Sequence, residues 1–183
     1  MAIAVVLAGL AAAGCGGEDE RAAAAPAPPP ATLPAAAVPY LESEERRLTA
    51  ATVAKETGLP ELAGRLAGWG YESGASRHFQ GQSKRLQVVD ARAYRFRSAA
   101  GAAAFMRLIR ADPDAFFAAG GRTRAFVAGG RRGLAIEGLP CACHMAQPAY
   151  FAALADGTTV RSLEINGPNA SIKALRALAA ETP

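Results

Sequence analysis

The pattern of apolar and polar positions predicts four helices in the part of the chain that follows the N-terminal region. The clearest is predicted over 99–111, where large apolar residues recur every three or four positions and Ser98 can cap the first turn. Three further helices are predicted in the same way: one between Thr49 and Gly58, a short one that begins near Pro60, and a C-terminal one that is capped by Asn169.

Six extended segments with turn residues between them are predicted as strands. They cover 71–80, 86–96, 122–128, 131–137, 150–155 and 158–165. Gly129-Gly130 and Asp156-Gly157 are typical of hairpins, and hairpins imply antiparallel pairing because parallel strands need long crossovers. The chain is therefore predicted to fold as an α+β domain, with an antiparallel sheet of about five or six strands and helices packed on one face.

The first fourteen residues are predicted to be a signal peptide. A run of small and aliphatic residues over 2–13 would span about 18 Å as a helix, which is too short for the ~30 Å hydrocarbon core of a membrane. Gly14 precedes Cys15, and small residues before a Cys resemble the lipobox of bacterial lipoproteins, in which the Cys becomes the lipidated N-terminus. Ala12 stands where that motif usually has Leu, and no Lys or Arg precedes Arg21. An ordinary signal peptide or an apolar tail is the alternative.

Residues 15–39 are predicted to form a spacer between the lipidated Cys15 and a single head domain over 40–183. An acidic cluster, Glu18-Asp19-Glu20, is followed by a stretch that holds six of the chain's twelve prolines and few large apolar side chains. Proline fixes φ and removes a backbone donor, so this stretch is expected to be extended or disordered. Two or more acyl chains on Cys15 would hold the head at the outer face of the cell membrane.

A lipobox followed by a Pro-rich spacer and a small strand-strand-helix domain resembles actinobacterial lipoproteins, and also the extracytoplasmic sensor domains attached to some actinobacterial kinases. The stretches that carry this resemblance are Gly68-Trp69-Gly70-Tyr71 with Arg77 and Phe79, and Phe96-Arg97-Ser98-Ala99-Ala100-Gly101-Ala102. The resemblance brings no catalytic residues with it. It implies a lipid-anchored, extracytoplasmic binding or accessory module without catalysis of its own.

Basic residues are concentrated in the middle of the chain, although the whole sequence carries a formal charge of only +4. Between Arg77 and Arg132 there are twelve basic and three acidic residues. Five of these arginines lie on or next to predicted strands: Arg92, Arg95, Arg97, Arg122 and Arg124. Side chains alternate between the faces of a strand, so only some of the five can share a face, and a partial basic patch is predicted.

Such a patch near a membrane suits anionic envelope lipids or polymers, or an envelope protein, as a partner. Nucleic acid is not expected as a partner in that compartment. A solvated arginine-rich surface without a partner is the alternative.

The most unusual stretch of the sequence is Cys141-Ala142-Cys143-His144-Met145. With Cys15 lipidated, Cys141 and Cys143 have only each other as disulfide partners, and a bend is needed for that bond to close. Thiolates with the imidazole of His144 and the thioether of Met145 favour a soft metal such as copper. A local disulfide, two free thiols and a metal site are the three states left open, and no cofactor is predicted.

Ser76 and His78 suggest a hydrolase, since they lie two residues apart on one face of a predicted strand. The surrounding sequence misses the Gly-x-Ser-x-Gly spacing of a nucleophile elbow by one residue. P-loop, His-Glu-x-x-His and dinucleotide-binding motifs do not occur in the sequence. An envelope hydrolase that uses Ser76 and His78 is therefore the alternative to a binding module, and the sequence does not identify a ligand.

Overall fold

The computed structural model describes residues 28–118, 120–138 and 147–183. This part of the chain contains seven strands: β1 (Glu42–Leu48), β2 (Tyr71–Gln80), β3 (Val88–Phe96), β4 (Arg122–Ala128), β5 (Arg131–Glu137), β6 (Ala149–Asp156) and β7 (Thr159–Asn166). It also contains four α-helices: α1 (Ala50–Thr57), α2 (Leu62–Gly68), α3 (Ala99–Ala111) and α4 (Ile172–Glu181). None of the helices within these ranges has the length and apolar character needed to cross a membrane.

The strands form one antiparallel sheet in the order β1-β2-β3-β7-β6-β5-β4. The predicted α+β class and antiparallel pairing are confirmed, but the predicted five or six strands are too few. The additional strand is β1, an edge strand that pairs with β2 from Glu42 opposite Gln80 to Leu48 opposite Gly74. Its residues before Leu48 are all exposed, so no apolar alternation marks it as a strand. Backbone hydrogen bonds to β2, rather than side-chain burial, hold it extended.

Both faces of the sheet are covered, and the prediction of helices on one face is wrong. β6 shows the reason, because its side chains alternate between two apolar clusters: Phe151 and Ala153 belong to one, and Ala152 and Leu154 to the other. The first cluster packs against α1, α2 and α3, and the second packs against α4. We call these two sides of the sheet the α3 face and the α4 face. The near-continuous apolar run of β6 is the pattern of a strand that is buried on both sides.

The segment 28–41, which precedes β1, packs across the α4 face. Leu33 and Val38 are completely buried and belong to the same cluster as Phe79 of β2. Packing therefore begins inside the segment predicted as spacer, ahead of the predicted boundary at Tyr40.

The side-chain caps agree with the prediction at α1 and α3 and differ at α4. Thr49 and Ser98 each accept a hydrogen bond from a backbone N–H in the first turn of the helix that follows. Ser171 caps α4 in place of Asn169, whose side-chain amide donates to the carbonyl oxygen of Lys84. That acceptor lies in the turn between β2 and β3, far away in the sequence, so the helical pattern alone does not reveal it.

Candidate functional site

A row of titratable side chains crosses the α3 face at the end of the sheet where β1 begins and β2 ends. Its members lie directly opposite one another on β1, β2, β3 and β7: Glu44, His78, Asp90 and Glu164. Directly paired residues of antiparallel strands place their side chains on the same face. Glu44 is exposed, and the other three are half-buried. We call these four residues the polar row.

His78 is held by hydrogen bonds at both of its ring nitrogens. Nδ1 lies 2.9 Å from Oδ1 of Asp90, and Nε2 lies 3.2 Å from Oε1 of Gln80. A protonated imidazolium can donate to both oxygens, whereas a neutral ring can donate to only one. Burial by itself lowers the pKa of His78, but the hydrogen bonds to Asp90 and then to Gln80 outweigh it and raise that pKa above its ordinary value.

Glu164 keeps its proton at a higher pH than an ordinary glutamate does. Burial, and then the neighbouring Asp90 carboxylate, raise the pKa of Glu164 to about 7. The positive charges of Arg92 and His78 offset part of this effect. The polar row therefore contains a carboxyl group that exchanges its proton near neutral pH.

A second row lies two residues further along the same strands, on the same face. It consists of Arg46, Ser76, Arg92 and Ser162. Glu56 of α1 reaches into it, with Oε2 at 3.0 Å from Nη1 of Arg92 and Oε1 at 3.7 Å from Nη2 of Arg46. This contact fixes α1 over the sheet and neutralises Arg92 inside the fold.

Ser76 and His78 share the α3 face as predicted, but they do not form a nucleophile and base. The hydroxyl of Ser76 is buried and has no hydrogen-bond partner in the described part of the chain. Both nitrogens of His78 are occupied by Asp90 and Gln80. A serine nucleophile needs a base in contact with its hydroxyl and access to substrate, and this arrangement provides neither.

An open groove of about 580 Å³ lies beside the polar row, at the edge of the sheet. It is lined by Tyr40, Glu42, Ser43, Glu44, His78, Gln80, Gly81 and Gln82. The lining contains two carboxylates, two side-chain amides, a phenol and an imidazole, but neither Lys nor Arg. It is a surface of hydrogen-bonding groups with an excess of negative charge.

The acidic members of this site were missed by the sequence analysis. Glu44 lies on β1, which was not predicted, and Asp90 meets Glu164 only through the register of β3 with β7. One signal was available in β7, where Glu164 stands between two buried apolar residues. A carboxyl group at such a position needs a partner or keeps its proton.

The five arginines that were predicted to contribute to a basic patch are separated in the structure. Arg92 belongs to the second row on the α3 face, Arg95 lies on the opposite face of β3, and Arg97 follows the end of that strand with its side chain 80% exposed. Arg122 and Arg124 lie on β4, beyond the three intervening strands β7, β6 and β5. The five therefore form no single patch: Arg95 and Arg97 lie near one another at the end of β3, and Arg122 and Arg124 lie together on β4.

The cysteine-dependent predictions concern Cys15, Cys141, Cys143, His144 and Met145, which all lie outside the described residues. Within residues 28–118, 120–138 and 147–183, no group of three or more His, Cys, Asp or Glu side chains is arranged to hold a metal ion.

No protein-family model and no curated protein matches the sequence. Among solved structures, the chain is similar to the extracellular domain of PknH from Mycobacterium tuberculosis, with 11% sequence identity and a TM-score of 0.41. The match covers 77% of this chain and 82% of that chain. This neighbour is an extracellular domain from a mycobacterium, and neither a family nor a function of this chain follows from the match.

Proposed function

We propose that the chain is a lipid-anchored, extracytoplasmic binding module without catalysis of its own, and that its ligand occupies the groove beside the polar row. The groove is the observation that supports binding most directly, because it places the exposed side chains of Glu42, Glu44 and Gln82 around one open space. The closed environment of Ser76 supports a role in binding rather than hydrolysis.

The chemistry of the groove favours a polar ligand that carries a positive charge, such as an amine. Glu42 and Glu44 are both exposed, and because they are two residues apart on β1 their side chains lie on the same face of the strand. Gln80 and Gln82 add amide groups, and Tyr40 adds a phenol hydroxyl, while the centroid of its ring lies 5.4 Å from the guanidinium carbon of Arg85. Carboxylates, amides and a hydroxyl together suit an ammonium group and its neighbouring hydroxyl or carbonyl groups.

A titration followed by NMR tests the groove. Spermidine added to the soluble chain with Cys15→Ser should shift the amide signals of Glu42, Glu44, Gln80 and Gln82, and inorganic phosphate should not. Glu44→Gln should weaken spermidine binding about two- to fivefold, the range expected for losing one exposed ionic contact. Glu61→Gln, an exposed carboxylate that does not line the groove, is the matched control. Shifts at other sites, or equal losses in both variants, would count against this ligand site.

The anchor is tested separately with Cys15→Ser. The wild-type chain should be recovered in the membrane fraction with a diacylated Cys15 as its N-terminus. The Cys15→Ser variant should appear in the medium or as an uncleaved precursor, whereas Cys141→Ser should stay in the membrane fraction. An unchanged distribution of the Cys15 variant, or a mature N-terminus elsewhere, would contradict lipid anchoring.

A further inference from the structure

The chain reaches the folded domain at one defined end of the sheet. The carbonyl oxygen of Pro28 accepts hydrogen bonds from Oγ of Ser73 at 3.1 Å and from Nη1 of Arg95 at 3.3 Å. These two residues lie where β2 begins and β3 ends. Cys15 precedes Pro28 by thirteen residues, a stretch that spans at most about 45 Å when fully extended. A lipid on Cys15 therefore keeps this end of the sheet within about 45 Å of the bilayer.

The only tryptophan of the chain lies at the same end of the domain. Trp69 follows α2 and is half-buried, and the guanidinium carbon of Arg65 lies 4.9 Å from the centroid of its ring. The backbone N–H of Arg97 donates to the carbonyl oxygen of Gly70 at 2.8 Å, so Arg97 sits beside Trp69. The guanidinium of Arg65 thus lies over the ring of Trp69, and the backbone of Arg97 is held next to the residue that follows this tryptophan.

The arginines at this end keep most of their charge available. The side chain of Arg97 is 80% exposed, and its nearest carboxylate, that of Glu72, is 4.0 Å away. An ion pair of that length on an exposed side chain neutralises little charge. Arg65 is also exposed. Tryptophan and arginine are the residue types that favour the headgroup region of a membrane, the first through its amphipathic ring and the second through attraction to anionic lipids.

We propose that this end of the domain, formed by Arg65, Trp69, Arg95 and Arg97, faces the membrane and contacts anionic phospholipid headgroups. The inference rests on the proposed anchoring through Cys15, because the lipid is what holds this end near the bilayer. The same orientation determines which way the groove faces relative to the membrane. β2 has ten residues and is therefore about 33 Å long, and the groove lies at the end of β2 that is remote from Pro28. The ligand site opens away from the membrane.

Fluorescence of Trp69 in the lipidated full chain tests this orientation. The protein is reconstituted in vesicles that contain brominated lipids, and each variant is compared with itself in unbrominated vesicles. Quenching should be strong when phosphatidylglycerol is abundant and weak when all lipids are phosphatidylcholine. The double variant Arg65→Gln/Arg97→Gln should lose the difference between the two lipids. The matched control is Arg122→Gln/Arg124→Gln, two exposed arginines on β4, and it should behave as the wild type does.

A second measurement uses the mature chain with Cys15→Ser, which carries no lipid and should bind vesicles only through the domain itself. Each arginine near an anionic surface should raise the partition coefficient about fivefold, so the Arg65→Gln/Arg97→Gln pair should lower it roughly 25-fold at low salt. The control pair should change it much less. Equal losses for both pairs, or binding that is insensitive to salt, would overturn the proposed contact.

The outcomes separate the orientation from the anchor. A chain that is lipidated at Cys15 but shows no charge-dependent quenching of Trp69 leaves the anchor standing and overturns the orientation. A wild-type chain that is recovered without a lipid on Cys15, but still binds vesicles through Arg65 and Arg97, overturns the anchor and leaves the contact with headgroups standing. The acidic cluster Glu18-Asp19-Glu20 is the alternative partner that could bind Arg65 and Arg97 in place of lipid headgroups. Quenching that appears only after these three residues are changed to Gln, Asn and Gln would overturn the membrane contact in favour of that cluster.

Discussion

Asp90 and Glu164 lie directly opposite each other on β3 and β7, with both carboxyl groups on the α3 face. His78 lies on the other side of Asp90 and forms a hydrogen bond of 2.9 Å with it. When the imidazole is protonated, its positive charge offsets the charge of the Asp90 carboxylate. Burial, and then repulsion from the Asp90 carboxylate, raise the pKa of Glu164 to about 7. Glu164 therefore keeps its proton at pH values at which an ordinary glutamate has lost it.

The domain should lose stability as the pH rises through neutrality. The pKa of Glu164 is about 7 in the folded chain, against an ordinary value of 4.5. At a pH between these two values, the folded state holds a proton at Glu164 that the unfolded state has released. The free energy of unfolding then falls as the pH rises, by on the order of 2 kcal/mol. The raised pKa of His78 acts in the same direction. Protonated His78 stabilises the folded state at low pH, and this stabilisation is lost as the pH rises through the pKa of His78 in the folded chain.

Urea denaturation between about pH 5 and about pH 8 measures this effect. Glu164→Gln should flatten the decline in the urea midpoint, because the amide cannot ionise. The control Glu61→Gln, an exposed residue outside the polar row, should preserve the decline. A wild-type midpoint that rises over this range, or identical slopes in the wild type and Glu164→Gln, would contradict the assignment.

Removal of the Ser76 hydroxyl should not destabilise the protein. That hydroxyl is buried without a hydrogen-bond partner in the described residues, so Ser76→Ala removes an unsatisfied polar group and should leave stability unchanged or raise it by about 1 kcal/mol. Ser98→Ala is the contrast, because its hydroxyl accepts from the backbone N–H of Gly101 at 3.2 Å and its loss should cost about 1 kcal/mol. Thermal melts by circular dichroism compare the two. Equal destabilisation would mean that Ser76 has a partner after all.

Two glycine-to-alanine changes inside helices should have opposite effects. Gly64 of α2 has no heavy atom within 4 Å of the position of an added Cβ, so Gly64→Ala should stabilise the domain by roughly 0.5–1 kcal/mol through helix propensity. A Cβ at Gly101 would collide with the carbonyl oxygen of Trp69, so Gly101→Ala should cost about 1–3 kcal/mol despite the same propensity. Unfolding free energies from urea titrations decide between them. Stabilisation by both changes would show that α3 does not approach Trp69 so closely.

The two remaining cysteines should form a disulfide in protein isolated from an oxidising compartment. Cys141 and Cys143 are predicted to show no reactive thiol before reduction and two afterwards, with Cys143→Ser exposing a single thiol at Cys141. Thiol labelling followed by intact mass measures both states. Two thiols in the untreated protein would indicate the free form, and stoichiometric copper that survives dialysis would indicate a metal site. The bond closes a loop of very few residues, so its removal should change stability little.

Local patterns were enough to predict many of the elements. β2, α3, β4 and β5 have their predicted bounds, because apolar periodicity and turn residues such as Gly129-Gly130 act within a few positions. β1 was missed because its stability comes from pairing with a distant strand rather than from its own side chains. The second covered face was missed although the apolar run of β6 indicates a strand buried on both sides.

The candidate site was predicted much less completely than the fold. His78 was identified, but with Ser76 as its supposed partner, because two residues on one strand are visible in the sequence. Its structural partners are Gln80, which is equally local, and Asp90, which depends on the register between β2 and β3. Register across a sheet is set by many weak pairings at once, and no single residue reports it.

The order of strands has a consequence for how this chain acquires its structure. After β3 the chain crosses to the far edge of the sheet at β4, and it returns through β5 and β6 before β7 settles beside β3. One ladder, Val88–Arg95 against Thr159–Asn166, therefore joins strands that are far apart in the sequence, since β3 ends at Phe96 and β7 begins at Thr159. Closing so long a loop lowers the entropy of the chain before the stabilising contacts between β3 and β7 have formed. Topologies of this kind therefore fold slowly. Under the proposed export, a chain emerging from a translocation channel cannot complete its core until its last strand is outside.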